Sequence, residues 1–232
     1  MCISSDSGQA LQFGGQARMT RCVFINMETQ DKANKILAEL KKLYPQPKVA
    51  LNYSNPWELL VAVILSAQCA DTMVNIVTEK LFKKYPTLAD YVNAVQEEFE
   101  QDIKSTGFYK NKAKNVLATA KIVKEKFGGE VPQTMEELLT LPGVARKTAN
   151  VVLGVAFGKN EGIAVDTHVR RLSQLYGLTE HDDPEKIEQD LLKLIPREEW
   201  RDFTLRFIAY GREYCPAKQH DHAQCPLVVA LG

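Results

Sequence analysis

One lysine and one aspartate, nineteen residues apart, are the side chains in this sequence best suited to do chemistry: Lys147 and Asp166. Lys147 follows the turn formed by Pro142 and Gly143 and stands near the predicted start of a helix. We expect half-burial at the edge of an apolar face. Together with the neighbouring Arg146 and the positive end of the helix dipole, it should disfavour a charged ammonium. A neutral amine is a nucleophile, so the sequence predicts amine chemistry at Lys147.

The glycine turn before Lys147 has a second use. A turn of this kind points backbone amides outward at the start of a helix, where they bind phosphate. The sequence therefore predicts a phosphate site around Gly143, a few residues from the amine.

Two helices must position this turn. Thr134 and Glu137 match a capping box, which predicts that a helix begins there and ends before Pro142. The second helix is expected to bury one face, formed by residues at helical spacing: Val144, Thr148, Val151, Val152 and Val155.

The remaining elements also have helical periodicity. Asn55 and Pro56 open an almost entirely apolar segment, Leu59 to Ala70, which we expect to be the central buried helix. Further helices are expected at 28–44, 72–85, 88–99 and after Asp166. A weak internal sequence repeat aligns Gly107 with Gly143. The predicted fold class is all-α, with about ten helices and short loops.

The amino-acid composition does not indicate which class of partner the protein binds. The 29 basic and 29 acidic residues cancel, so binding to nucleic acid would depend on a local patch. Such a patch, or else a solvated helix face, lies between Lys104 and Lys126: Lys104, Lys110, Lys112, Lys114, Lys121, Lys124 and Lys126. Five scattered cysteines favour a reducing interior over disulfides, and no apolar run is long enough for a membrane. We expect residues 1–27 to be a disordered extension; an organelle transit peptide is an alternative.

Three polar or aromatic side chains have two interpretations each. Gln68 either caps a neighbouring backbone inside the protein or contacts a ligand at a surface. Phe108 and Tyr109, at the tip of the first glycine turn, either fold back into the core or wedge against bases.

Four stretches together resemble endonuclease III, a family in the helix-hairpin-helix DNA glycosylase superfamily: NPWELLVAVILSAQCAD, TGFYKNKA, LPGVARKTANVVLGVAFG and IAVDTHVRRL. The resemblance implies two helical domains on either side of a DNA-binding cleft. Residues 47–160 would form a six-helix barrel, with the helix-hairpin-helix at about 134–157. Residues 28–46 and 161–232 would form the second domain.

The resemblance also implies roles. Lys147 would attack the sugar C1′ of a damaged nucleotide, and Asp166 would assist loss of the base, although an aspartate before a helix is also a common N-cap. Gln68 would fill the gap left by the flipped nucleotide, with Phe108 and Tyr109 beside the opposite base. The amides of Gly143 and Ala145, with Arg146, would hold the DNA backbone, and His168 would be structural.

These roles describe a bifunctional glycosylase and lyase of base excision repair that removes oxidised pyrimidines. Its partner is double-stranded DNA carrying a damaged base or an abasic site. The enzyme is expected to be a monomer inside the cell, in the cytoplasm or nucleoid. Two alternatives are an enzyme of the same fold for uracil or thymine mismatches, and a non-catalytic DNA-binding module.

The C-terminal segment departs from the family. Endonuclease III carries four cysteines spaced C-x6-C-x2-C-x5-C around a [4Fe–4S] cluster. Here Cys215 and Cys225 occupy the first and third places, whereas His222 and Leu231 occupy the others. Zinc held by Cys215, His220, His222 and Cys225 is an alternative, but the spacing is unusual. We therefore expect no cofactor and a loop that packs without metal.

Overall fold

A computed structural model describes residues 28–232, and the extension expected at 1–27 lies outside them. The described residues form twelve α-helices and three short 3-10 helices, and no strand occurs among them, so the all-α prediction is confirmed. The α-helices are α1 Thr29–Leu43, α2 Pro56–Leu65, α3 Asp71–Lys84, α4 Leu88–Asn93, α5 Gln96–Asp102, α6 Tyr109–Lys126, α7 Met135–Leu139, α8 Arg146–Phe157, α9 Thr167–Leu175, α10 Pro184–Leu194, α11 Trp200–Glu213 and α12 Pro226–Leu231. The 3-10 helices are Lys104–Thr106, Arg197–Glu199 and His222–Gln224.

The buried side chains form two clusters. The first is built by helices α2 to α8 around the apolar helix α2. The second joins α1 at the start of the described chain to α9, α10, α11 and α12 at its end. The domain division expected over 28–46 with 161–232 and over 47–160 stays a prediction. None of the helices in residues 28–232 has the length and apolar character that crossing a membrane requires.

Two of the helix predictions are wrong. Helix α2 ends at Leu65 and not at Ala70, because Gln68 has a φ of 52°, which a right-handed helix does not accommodate. The helix expected over 88–99 is divided into α4 and α5, because Ala94 has extended backbone angles. The first correction matters for function, since it moves Gln68 from a helix into the turn between α2 and α3.

The glycine turn between α7 and α8 is as predicted. Thr134 caps α7 by accepting a hydrogen bond from the Glu137 amide, and Gly143 has a φ of 78°. Helix α6 holds the turn in place, because the Thr119 hydroxyl donates to the carbonyl oxygen of Pro142 at 3.0 Å. A Cβ at Gly143 would lie only 2.8 Å from the Asn115 side-chain nitrogen, so both the backbone and the packing require glycine here.

Candidate functional site

Three of the predicted site residues line one cleft. Lys147 comes from the first turn of α8, Asp166 from the residue before α9, and Gln68 from the turn between α2 and α3. The cleft has a volume of about 560 Å³ and is lined by side chains of both buried clusters. The fold therefore brings together residues that are up to 98 positions apart in the sequence.

Asp166 caps helix α9 and also faces the cleft. Its Oδ1 accepts hydrogen bonds from the amides of His168 at 2.9 Å and Val169 at 2.8 Å. Both of these bonds use Oδ1, so Oδ2 remains available to a ligand. The N-cap interpretation is confirmed, and it fixes the carboxylate at the wall of the cleft rather than competing with a role there.

Lys147 is exposed, so the expected half-burial is wrong. The first turn of α8 has no helical turn before it to cover the side chain, and the cleft in front of it is open. Of the causes expected to favour a neutral amine, the structure leaves the helix N-terminus and the neighbouring Arg146.

Gln68 and Phe108 share an unusual backbone. Within residues 28–232 they are the only residues other than glycine with positive φ, at 52° and 48° respectively. A left-handed conformation costs these residues about 1–3 kcal/mol, and such strain occurs often at functional sites. Both side chains are exposed, and Phe108 has 66% of its surface accessible. Tyr109 is half-buried and packs against the first cluster, as the core interpretation of that residue anticipated.

Lys112 links the two strained turns, a contact that no pattern in the sequence indicates. Its ammonium donates to the carbonyl oxygens of Leu65, at the end of α2, and of Thr106, just before the turn that carries Phe108, both at 2.7 Å. The residue is only 4% exposed, and burial lowers the pKa of its ammonium. Lys112 therefore does not belong to the basic surface patch. The other six lysines of that patch are exposed.

The glycine turn offers backbone amides as predicted. Neither Gly143 nor Ala145 donates its amide to a protein acceptor within the described chain, and both residues are exposed. Arg146 is differently placed, because its guanidinium forms two hydrogen bonds to buried Glu188 of α10, at 2.6 and 3.2 Å. This contact raises the pKa of Arg146 and ties the start of α8 to the second cluster.

His168 also lines the cleft and is half-buried. Burial is the main cause that lowers the pKa of its imidazole. A Cβ on Gly211 of α11 would lie 2.5 Å from its Nδ1, so the glycine makes the space that the ring occupies. This packing supports the structural role expected for His168.

The prediction of a C-terminal loop without a cofactor is wrong. Cys215, His220, His222 and Cys225 each offer one ligand atom, and these four atoms all lie within 4.8 Å of one another. The unusual sequence spacing is accommodated because the 3-10 helix at His222–Gln224 turns the chain back toward Cys215. The group is suited to hold a metal ion, in the region where the family resemblance implies a cluster.

Comparison with known proteins agrees with this geometry. Residues 61–197 match the family described as "HhH-GPD superfamily base excision DNA repair protein". Endonuclease III from Synechocystis sp. is 52% identical over 198 residues, which cover 85% of this chain and 90% of the relative.

Solved structures give the same result. A trapped endonuclease III–DNA covalent intermediate has a TM-score of 0.82 at 47% identity, covering 87% of this chain and 94% of the other. A non-covalent endonuclease III–DNA complex has a TM-score of 0.83 at 46% identity, covering 88% of this chain and 95% of the other.

Proposed function

Because the chain belongs to the endonuclease III family of base excision repair proteins, we propose that Lys147 and Asp166 are its catalytic residues. The enzyme is a DNA glycosylase with lyase activity toward abasic sites, and its substrate is double-stranded DNA. The observation that carries the assignment of residues is the single cleft lined by Lys147, Asp166 and Gln68.

The Lys147 amine attacks C1′ of the damaged nucleotide, and the bond from C1′ to the base breaks with the electron pair leaving on the base. The amine then gives up one proton, and the C1′–O4′ bond breaks with its electron pair on O4′, which takes up a proton, so that a protonated Schiff base forms between Nζ and C1′. Removal of a proton from C2′ expels the 3′ phosphate by β-elimination, and water hydrolyses the remaining imine. The relative that was trapped in a covalent intermediate with DNA supports an attack of this kind.

Asp166 stabilises the positive charge that develops on the sugar as the base leaves. The two amides that bind Oδ1 hold the carboxylate in one orientation, so the charge is aligned before the substrate arrives. Capping and catalysis then depend on different oxygens of the same carboxylate.

The cleft admits a nucleotide only after it leaves the duplex. Base flipping costs a few kcal/mol, least at a damaged base. We assign Gln68 to the gap left in the helix and Phe108, with Tyr109 behind it, to the base on the opposite strand. The exposure of Gln68 and Phe108 and their strained turns support this assignment. The free amides of Gly143 and Ala145 are assigned to the phosphates beside the lesion.

The preferred substrate is an oxidised pyrimidine, and the enzyme acts where chromosomal DNA lies, in the nucleoid. Arg146 supports the hairpin in this scheme through Glu188 and contacts DNA with the part of its guanidinium that remains exposed. Duplexes with mismatched uracil or thymine represent the alternative substrate class and are compared with oxidised pyrimidines in the test below.

The proposal is tested by single-turnover excision from a panel of duplexes with one lesion each. Lys147→Gln should lose excision and strand cleavage, although it still binds the duplex. Asp166→Asn keeps a good N-cap and removes the charge, so it should slow base loss by about 10²-fold or more with little change in stability. Lys83→Ala, an exposed lysine that does not line the cleft, is the control and should behave as wild type. Excision by Lys147→Gln at the wild-type rate would refute the catalytic assignment, and faster excision of mismatched thymine would refute the substrate class.

A further inference from the structure

The C-terminal segment gathers two thiols and two imidazoles away from the cleft. Cys215 follows helix α11, His220 and His222 lie in the next loop, and Cys225 directly precedes α12. Both cysteines are buried and both histidines are half-buried. The Sγ of Cys215 is 3.7 Å from Nδ1 of His222, and the Sγ of Cys225 is 3.3 Å from Nε2 of His220.

These separations fit the ligands of a single tetrahedral ion. Zinc binds sulfur at about 2.3 Å and nitrogen at about 2.0–2.1 Å, so two ligand atoms of one tetrahedral zinc stand about 3.3–3.8 Å apart. The two pairs above fall in that range, and every other pair lies within 4.8 Å. Small side-chain adjustments therefore complete the tetrahedron.

The same residues do not fit a [4Fe–4S] cluster. Such a cluster is held by four thiolates, and each binds a different iron atom. Its ligands must therefore stand farther apart than the ligands of one ion. Only two thiols are present here, and the fourth place of the family pattern is filled by Leu231, which is buried and has no donor atom. Donor chemistry and spacing thus both favour one ion.

We propose that Cys215, His220, His222 and Cys225 hold a single zinc ion with a structural role. Two thiolates neutralise the charge of Zn²⁺, and two imidazoles complete the set. Thiolate ligands select zinc over magnesium or calcium. Four protein ligands leave no open position for water or substrate, which is the arrangement of structural zinc sites.

The surroundings explain what the ion would stabilise. Arg171 of α9 donates to the carbonyl oxygen and, at 3.6 Å, to the Sγ of Cys215. The ring of Tyr176, at the end of α9, packs 6.1 Å from that of His222. Helix α12 packs extensively against α1. The ion would therefore fasten α12 to the end of α11 and support α9, the helix that Asp166 caps.

Metal content of the full-length protein is the first test. Protein produced in medium that supplies both zinc and iron should contain one zinc per chain and no inorganic sulfide. After removal of the zinc by a chelator, added Co²⁺ should give the visible bands of a tetrahedral site and a thiolate-to-cobalt charge-transfer band. Four irons and four sulfides per chain would overturn the proposal, as would a chain that takes up neither zinc nor cobalt.

Variants assign the ligands. The binding energy of a structural zinc site, shared by four ligands, corresponds to about 10²–10³-fold in affinity for each ligand. Cys225→Ser and His222→Asn should each weaken zinc binding by about that factor. His181→Asn removes an exposed histidine outside the group and should leave zinc binding unchanged. Undiminished zinc affinity in Cys225→Ser and His222→Asn would overturn the assignment. Even where a variant fails to fold, the cobalt spectrum of the wild type shows whether the protein has a tetrahedral site with thiolate ligands.

Discussion

The buried ammonium of Lys112 offers a sharp test of how the two turns that we assign to DNA contact are held. Lys112→Met keeps the length of the side chain and removes the charge and the hydrogen-bond donors. The substitution leaves the carbonyl oxygens of Leu65 and Thr106 without the partner that now lies 2.7 Å from each. No cavity is expected, because methionine occupies nearly the same volume.

The size of the effect follows from those two bonds. A buried polar group left without a partner costs about 1–3 kcal/mol, so two carbonyls cost about 2–6 kcal/mol. For a domain of this size each kcal/mol lowers Tm by about 2–4 °C, so Tm should fall by at least about 4 °C. The freed turns should also relax the strained backbones of Gln68 and Phe108, which weakens binding to an abasic duplex.

The assay compares Lys112→Met with Lys121→Met, an exposed lysine on the same helix α6. Thermal unfolding gives the stability of each variant, and single-turnover kinetics separate binding from chemistry. We expect Lys112→Met to raise the apparent dissociation constant more than it lowers the rate of the bound complex. The reasoning is refuted if the two variants unfold at the same temperature and bind the abasic duplex equally well.

Three further predictions concern the surface that we assign to DNA binding. Gly143→Ala should lower the free energy of unfolding by about 1–2 kcal/mol from its positive φ alone, and the new Cβ should also displace Asn115. Gly158→Ala, with φ of 66° and open space around it, should show only the cost of the positive φ. Urea unfolding and duplex binding compare the two variants, and equal effects would remove the packing argument. Phe108→Ala should weaken binding to an abasic duplex by about 5–150-fold, because about 1–3 kcal/mol of stacking is lost. Fluorescence anisotropy measures the binding. Thermal stability should be almost unchanged, because the ring is exposed. Lys110→Ala should reduce the slope of log affinity against log salt by about 0.9, and an unchanged slope would mean that this lysine contacts no phosphate.

Local signals in the sequence were enough to place the glycine turn and Asp166. Capping, proline and glycine act over three or four residues, so the start of α7, the turn at Gly143 and the cap of α9 were all predictable. The all-α class followed from apolar periodicity in the same way.

The sequence-based predictions are wrong at positions where tertiary contacts determine the structure. An apolar run does not show where a helix must stop, so the end predicted for α2 lies five residues beyond the observed one and puts Gln68 in a helix. A row of lysines does not show which one faces inward, so the patch predicted from the sequence includes the buried Lys112. The sequence suggests the four possible metal ligands only as an alternative, because their side chains converge only once α12 has folded back onto α1.

The identity of the lysine that becomes attached to DNA tests the central claim most directly. Wild-type protein is mixed with an abasic duplex and borohydride, the covalent complex is digested, and the modified peptide is identified by mass spectrometry. The geometry of the cleft predicts that the adduct is on Lys147 and that Lys147→Gln gives no complex. An adduct on another amine, or undiminished trapping in Lys147→Gln, would contradict the account.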